Sequence, residues 1–157
     1  MRRCLSLYLF LLVASCGGGD DQEPLFPEDY SSTYQEVRDC RGSGDHDFRM
    51  IRILADPAAF EPYMGRVSPF PEGAVVLKEE YETGDDACAG ELVQWTVMVR
   101  GAEGSDARNL DWTWQTVDAG RNVVNHNDAR CASCHSTCVE PEGYVSTCAM
   151  EDGGGLQ

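Results

Sequence analysis

The sequence predicts a β-rich α+β domain, an antiparallel sheet of about four to five strands flanked by short helices. Three observations predict it. Leu92 to Arg100 alternates, with Val93, Trp95, Val97 and Val99 in one row and Leu92, Gln94, Thr96, Met98 and Arg100 in the other. A turn rich in Pro and Gly, Ser68 to Gly73, feeds a second alternating run, Ala74 to Tyr81. The helical signals, in contrast, are all short.

In chain order, Ser32-Thr33-Tyr34-Gln35 fits a capping box, which predicts a short helix from Thr33 to about Asp39. Residues 41–45 read as a loop. Phe48 to Leu54 reads as a strand. Asp56-Pro57 looks like an N-cap followed by Pro at the first helical position, opening a helix to about Met64 that Pro62 could end sooner. In the next strand Val75, Leu77 and Glu79 face one way and Val76, Lys78 and Glu80 the other. Residues 82–90 read as a hairpin loop and 101–109 as a second loop. Asp111 to Val117 is a strand with Trp112 and Trp114 on one face, expected beside the Val/Trp row as a broad aromatic wall. After a turn at 118–121, Asn125 to Asp128 supplies cap residues for a short helix, Asp128 to His135.

That last helix carries Cys131-Ala132-Ser133-Cys134-His135, the Cys-x-x-Cys-His attachment signature of haem c. Two thiols three positions apart can add to the two vinyl groups of one haem, and the adjacent imidazole becomes an axial ligand of the iron. Chance and zinc binding are the competing readings. A lone Cys-x-x-Cys is only half of a four-thiolate zinc site, and no second pair exists in the sequence. The expected sheet therefore packs on a covalently bound haem.

The N-terminus supplies the compartment. Met1-Arg2-Arg3 precedes an apolar run from Leu5 to Ala14, too short for a bilayer core that needs about 20 residues, so residues 1–15 read as a signal peptide. Val13-Ala14-Ser15-Cys16 resembles a bacterial lipobox, with Cys16 lipidated; an ordinary signal peptide is the alternative. Residues 16–27 form a flexible anchored tether, 28–150 the haem domain and 151–157 a frayed tail. The expected location is the bacterial cell envelope, lipid-anchored on the periplasmic side or at the outer membrane. Disulfides persist there. Of the eight Cys, Cys4 leaves with the signal, Cys16 takes lipid, and Cys131 and Cys134 take haem. Cys40, Cys88, Cys138 and Cys148 remain, with three pairings open; the preferred one joins Cys138 to Cys148 and Cys40 to Cys88.

Formal net charge is −15, and removing Arg2 and Arg3 leaves 10 basic against 27 acidic side chains, or about −17. Such a surface repels nucleic acid and anionic headgroups. It suits solubility or a basic redox partner protein. The membrane is reached through the anchor, and a homodimer is compatible with the chain. Lys78 is the only lysine.

Phe70-Pro71-Glu72-Gly73-Ala74-Val75-Val76-Leu77-Lys78-Glu79, the strand Val97 to Arg100, Asp111-Trp112-Thr113-Trp114 and the haem motif, in that order, resemble the cytochrome P-460 family over roughly residues 30–137. The resemblance implies a small β-rich haem c domain in which an antiparallel sheet covers one haem face. The related cytochrome c-prime-beta proteins share that fold and bind nitric oxide. Family enzymes oxidise hydroxylamine and cross-link a Lys to the porphyrin, which makes Lys78 the candidate here. The tail after His135 departs from the family pattern.

Function then turns on the ligand opposite His135. Met98, Met64, His126 and His46 are weighed, and packing or solvent exposure is the simpler reading for each. A five-coordinate iron follows, open to hydroxylamine or nitric oxide. Glu79, Glu80 and Glu91 are candidate proton acceptors, their pKa raised by burial. Trp95, Met98, Trp112 and Trp114 are pocket candidates. Two other functions stay open: a lipid-anchored electron-transfer cytochrome, and a disulfide-stabilised lipoprotein without catalysis.

Overall fold

The computed structural model describes residues 22–66, 68–138 and 146–149. The signal peptide, Cys16, the tether up to residue 21 and the tail 151–157 lie outside the described residues. Six antiparallel strands form one sheet in chain order: β1 Gln35–Ser43, β2 Arg49–Ala55, β3 Val75–Tyr81, β4 Leu92–Arg100, β5 Trp112–Asp118 and β6 Val123–His126. Among the described residues three short α-helices accompany it, α1 Tyr30–Thr33, α2 Pro57–Gly65 and α3 Ala129–His135, with one 3-10 turn at Ala107–Asn109.

Two expectations are corrected. The predicted helix after Ser32 is a four-residue turn of helix, and Gln35 onward is strand β1. Pairing with β2, from Gln35↔Ala55 to Ser43↔Arg49, and burial of Val37 outweigh the local cap signal. The sixth strand, β6, takes up Asn125 and His126 of the segment expected to supply caps, while Asp128 is the N-cap of α3 as expected. It is short and mostly exposed, and it forms because β5 offers an edge, with Gln115 opposite His126.

Register sets the two faces. Lys78 pairs with Ile53 on β2 and Thr96 on β4, and Val76 pairs with Ala55 and Met98. On β5, Trp114 lies opposite Met98 and Trp112 opposite Arg100. Cross-strand partners share a face, so the Trp112–Trp114 pair joins the mixed row of β4. Trp95 and Val97 point away from it. The expected wall of all three Trp is therefore split between two faces.

The first face holds Ala55, Val76, Met98, Trp112 and Trp114 under Ala59 and Tyr63 of α2, with Phe70 and Ala149. The second holds Leu54, Val75, Leu77, Trp95, Val97 and Val117, roofed by Phe26. Phe26 and Tyr30 meet the Trp95 ring at 5.3 and 6.0 Å, and Arg121 lies over Phe26 at 4.4 Å. This N-terminal strap is tied to β5 as well: the Leu25 amide donates to Gln115 Oε1 at 2.9 Å, and Gln115 Nε2 donates to the Glu23 carbonyl at 3.1 Å.

Entry to β3 is fixed at two points. Asp56 caps α2 by accepting from the Ala59 amide at 2.7 Å, and the same oxygen accepts from the Val75 amide at 3.1 Å. Gly73 adopts φ +85 and its amide donates to the Arg100 carbonyl. Nothing lies within 4 Å of a Cβ there, so the backbone conformation, not space, asks for glycine.

The disulfides join Cys40 to Cys88 and Cys138 to Cys148. Their sequence separations are 48 and 10 residues. Loop entropy then predicts a loss of about 4 kcal/mol when Cys40 and Cys88 become Ala, and about 3 kcal/mol for the Cys138 and Cys148 pair. Denaturant midpoints measure both; a larger loss at the shorter loop would contradict this account.

Candidate functional site

Helix α3 starts at Asp128, whose side chain accepts from the Arg130 amide at 2.9 Å. Helical spacing then divides its side chains. Cys131, Cys134 and His135 share one side, at i, i+3 and i+4. Ala129, Ala132, Ser133 and Ser136 share the other and line a depression of about 490 Å³ with Leu110 and Asn127. Cys131 is half-buried and packs on the first sheet face. Cys134 is exposed. Both are free thiols, whereas the other four described cysteines are bridged.

His135 lies against Trp114, ring centroids 4.7 Å apart. Its Nδ1 hydrogen-bonds the Ser146 carbonyl. A carbonyl only accepts, so Nδ1 carries the proton and Nε2 keeps its lone pair, the tautomer a metal ligand needs. Burial pushes the imidazole down to about 4, so it is neutral at neutral pH. Ser146 stands two residues before Cys148, whose sulfur is 3.7 Å from the same Nδ1. The local disulfide therefore holds the acceptor that orients this histidine.

Lys78 is half-buried in the middle of the same face. Burial pushes its ammonium down to about 8, while Glu80, Cys131 and Asp45 pull the other way. Its Nζ lies 2.5 Å from His46 Nε2. His46 Nδ1 in turn lies 3.1 Å from Glu80 Oε1. His46, expected to be solvated between Asp45 and Asp47, is instead drawn onto the sheet.

Glu80 is 1% exposed. It accepts from Gln94 Nε2 at 2.8 Å, Thr96 Oγ1 at 3.0 Å and Arg49 Nη1 at 3.2 Å. Burial alone would raise its pKa, but the bonds from His46 and Gln94 and the Lys78 charge outweigh it, and the carboxyl sits below its usual value. Glu80 is thus a fixed negative charge, not the raised-pKa base expected from burial.

The other candidates separate. Glu79 is on the opposite face, where it accepts from Arg52 Nε at 2.7 Å, Tyr30 Oη at 2.8 Å and Tyr81 Oη at 2.9 Å. Trp95 is there too, donating to Tyr30 Oη at 3.0 Å. Glu91 is exposed beside the β3–β4 loop. Met98, Trp112 and Trp114 are buried on the Cys131 face. Met64 is 49% exposed, and His126 is exposed on β6. Strand alternation could have found Gln94 and Thr96, which share the row of Met98. No local signal announces His46, Arg49 or Ser146.

This donor set fits a covalent haem. Two unbridged thiols and an imidazole whose Nε2 keeps its lone pair line one side of one helix; Cys131 and His135 meet an apolar floor, and Cys134 stands exposed. Buried in that floor, Trp112 Nε1 has no hydrogen-bond partner among the described residues.

Glu80→Gln should destabilise the protein by about 3 kcal/mol at neutral pH, because it strips the charge that Arg49 and His46 face. The folded pKa is lowered, so the carboxylate's stabilisation is complete above its ordinary value of 4.5 and is lost as pH falls through the folded value. The wild type should therefore lose stability below that pH more steeply than the variant. Parallel curves in acid titrations of the unfolding midpoint would rule this out.

The family model for cytochrome P460 matches residues 27–147. No individual curated protein matches the chain.

Proposed function

Because the chain belongs to the cytochrome P460 family, we propose that it is a mono-haem c-type cytochrome that binds or oxidises hydroxylamine or nitric oxide at a five-coordinate iron. Membership makes it a haem cytochrome of P460 type. Covalent attachment, the substrates and the open iron position are the proposed part.

The observation that carries the reading is the cysteine partition. Cys131 and Cys134 alone among the described cysteines are free, and they share a helix side with His135. Cys131 and Cys134 would hold the haem through thioethers, and His135 Nε2 would ligate the iron. Bound there, the iron porphyrin would supply an open coordination site and one-electron chemistry. The chain's own residues would do the rest. Met98, Trp112 and Trp114 exclude water from the floor. The Ser146 carbonyl keeps His135 in its ligating tautomer. Lys78 presents the amine that would be joined to the ring.

A second reading, the electron carrier, draws on Met98, which is buried on the same face and has a thioether to offer as sixth ligand. Ferrous spectra separate the two. The P460 reading expects a high-spin ferrous form, with a band displaced from ordinary haem c, that changes on adding nitric oxide. A low-spin spectrum indifferent to nitric oxide would establish the carrier instead.

The lipobox-like Val13-Ala14-Ser15-Cys16 supports anchoring in the cell envelope. Cys16→Ser should move the protein from the membrane to the soluble fraction. Retention in washed membranes would refute Cys16 as the anchor.

A further inference from the structure

The geometry points to a proton relay, Glu80–His46–Lys78, that prepares the chain's single lysine as a nucleophilic amine on the face carrying Cys131. The inference deepens the proposed function and rests on it for the identity of the amine's target, a porphyrin ring carbon.

The relay is built from three elements. Glu80 on β3 is locked by Gln94 and Thr96 of β4 and by Arg49 of β2. His46 reaches in from the β1–β2 loop, with Nδ1 3.1 Å from Glu80 and Nε2 2.5 Å from Lys78 Nζ. An ionised carboxylate only accepts, so Nδ1 carries the imidazole proton and Nε2 turns its lone pair to Lys78. Moving one proton from Nζ to Nε2 converts ammonium and neutral imidazole into amine and imidazolium. The new positive charge then faces the carboxylate of Glu80. This is the logic by which a buried carboxylate supports a histidine base beside a nucleophile.

The remaining groups facing Lys78 are Arg41 from β1, Asp45 from the loop, and Cys131 from α3, with His135 on the same helix. A purely structural pair would need only Lys78 and Glu80, which share a face two residues apart on β3. Here an imidazole stands between them. The half-buried setting lowers the ammonium to about 8, so losing its proton costs less than for an exposed lysine.

Joining the nitrogen to a ring carbon breaks one N–H and one C–H bond and forms an N–C bond. With a peroxide as the two-electron oxidant, reduced to two waters, an ammonium and a ring C–H release one proton in net. His46 is placed to take it. His46 is a positioning residue and base toward Lys78; it is assigned no contact with substrate.

The test uses the full-length, haem-loaded protein, as wild type and His46→Gln. His46 lies in the β1–β2 loop, and the Gln amide can still donate to Glu80, so the substitution keeps a partner for the buried carboxylate. After peroxide is added across a pH series, peptide mass spectrometry follows Lys78. Cross-linking joins its peptide to the Cys131–Cys134 haem peptide, with loss of two hydrogens. The relay expects His46→Gln to react at least tenfold more slowly at pH 7, with the bend in the rate profile, which burial sets, left near pH 8. An unchanged rate overturns it, as does a fall in rate carried wholly by a bend displaced toward the ordinary lysine value of 10.5. If wild type forms no cross-link, the target is wrong, and acetylation of Lys78 by acetic anhydride in the same protein decides the relay alone. Wild type should then acetylate at least tenfold faster than His46→Gln at pH 7, with its bend near pH 8. Equal acetylation overturns the relay.

Discussion

The register of β3 between its neighbours is the constraint on which the site depends. Side chains alternate with a period of two, so a slip by one residue would carry Lys78 and Glu80 to the face roofed by Phe26 and Tyr30. The slip is costly on both sides. Leu77 is fully buried on one face and Glu80 nearly so on the other. The Asp56 bond to the Val75 amide and the Gly73 turn pin the first residue of the strand.

The two faces spend their burial differently. The Trp95 face is closed by an N-terminal strap whose Tyr30, with Arg52 and Tyr81 of the sheet, satisfies Glu79, and it has the character of a conventional core. The opposite face buries Glu80 with a lysine, a histidine and an arginine around it. An apolar packing of similar volume would serve stability as well or better. A buried polar group held in full hydrogen bonding, beside free thiols, is therefore a mark of chemistry more than of folding.

Positioning in this small protein is partly covalent. The Cys138–Cys148 bridge closes directly behind α3 and keeps Ser146 against His135. The Cys40–Cys88 bridge ties the edge strand β1 to the β3–β4 loop, and Thr83 of that loop donates to the Phe48 carbonyl in the β1–β2 loop that carries His46.

Local chemistry was readable from the chain alone. Strand alternation placed Lys78 and Glu80 on one side of β3 and Glu79 on the other, an Asp cap and Pro started α2, and setting aside the thiols of the N-terminus and of the Cys-x-x-Cys-His motif left Cys40, Cys88, Cys138 and Cys148 to pair as they do. The first two features depend on residues a few positions apart, the third on a count of thiols. Tertiary structure decided the remainder. Edge pairing turned the expected helix after Ser32 into β1 and drew out β6. Antiparallel register split Trp95 from Trp112 and Trp114. Chain folding brought His46 across 32 residues to Lys78. Those outcomes depend on which strand lies beside which, and a pattern read within one segment carries no record of the neighbour it will meet.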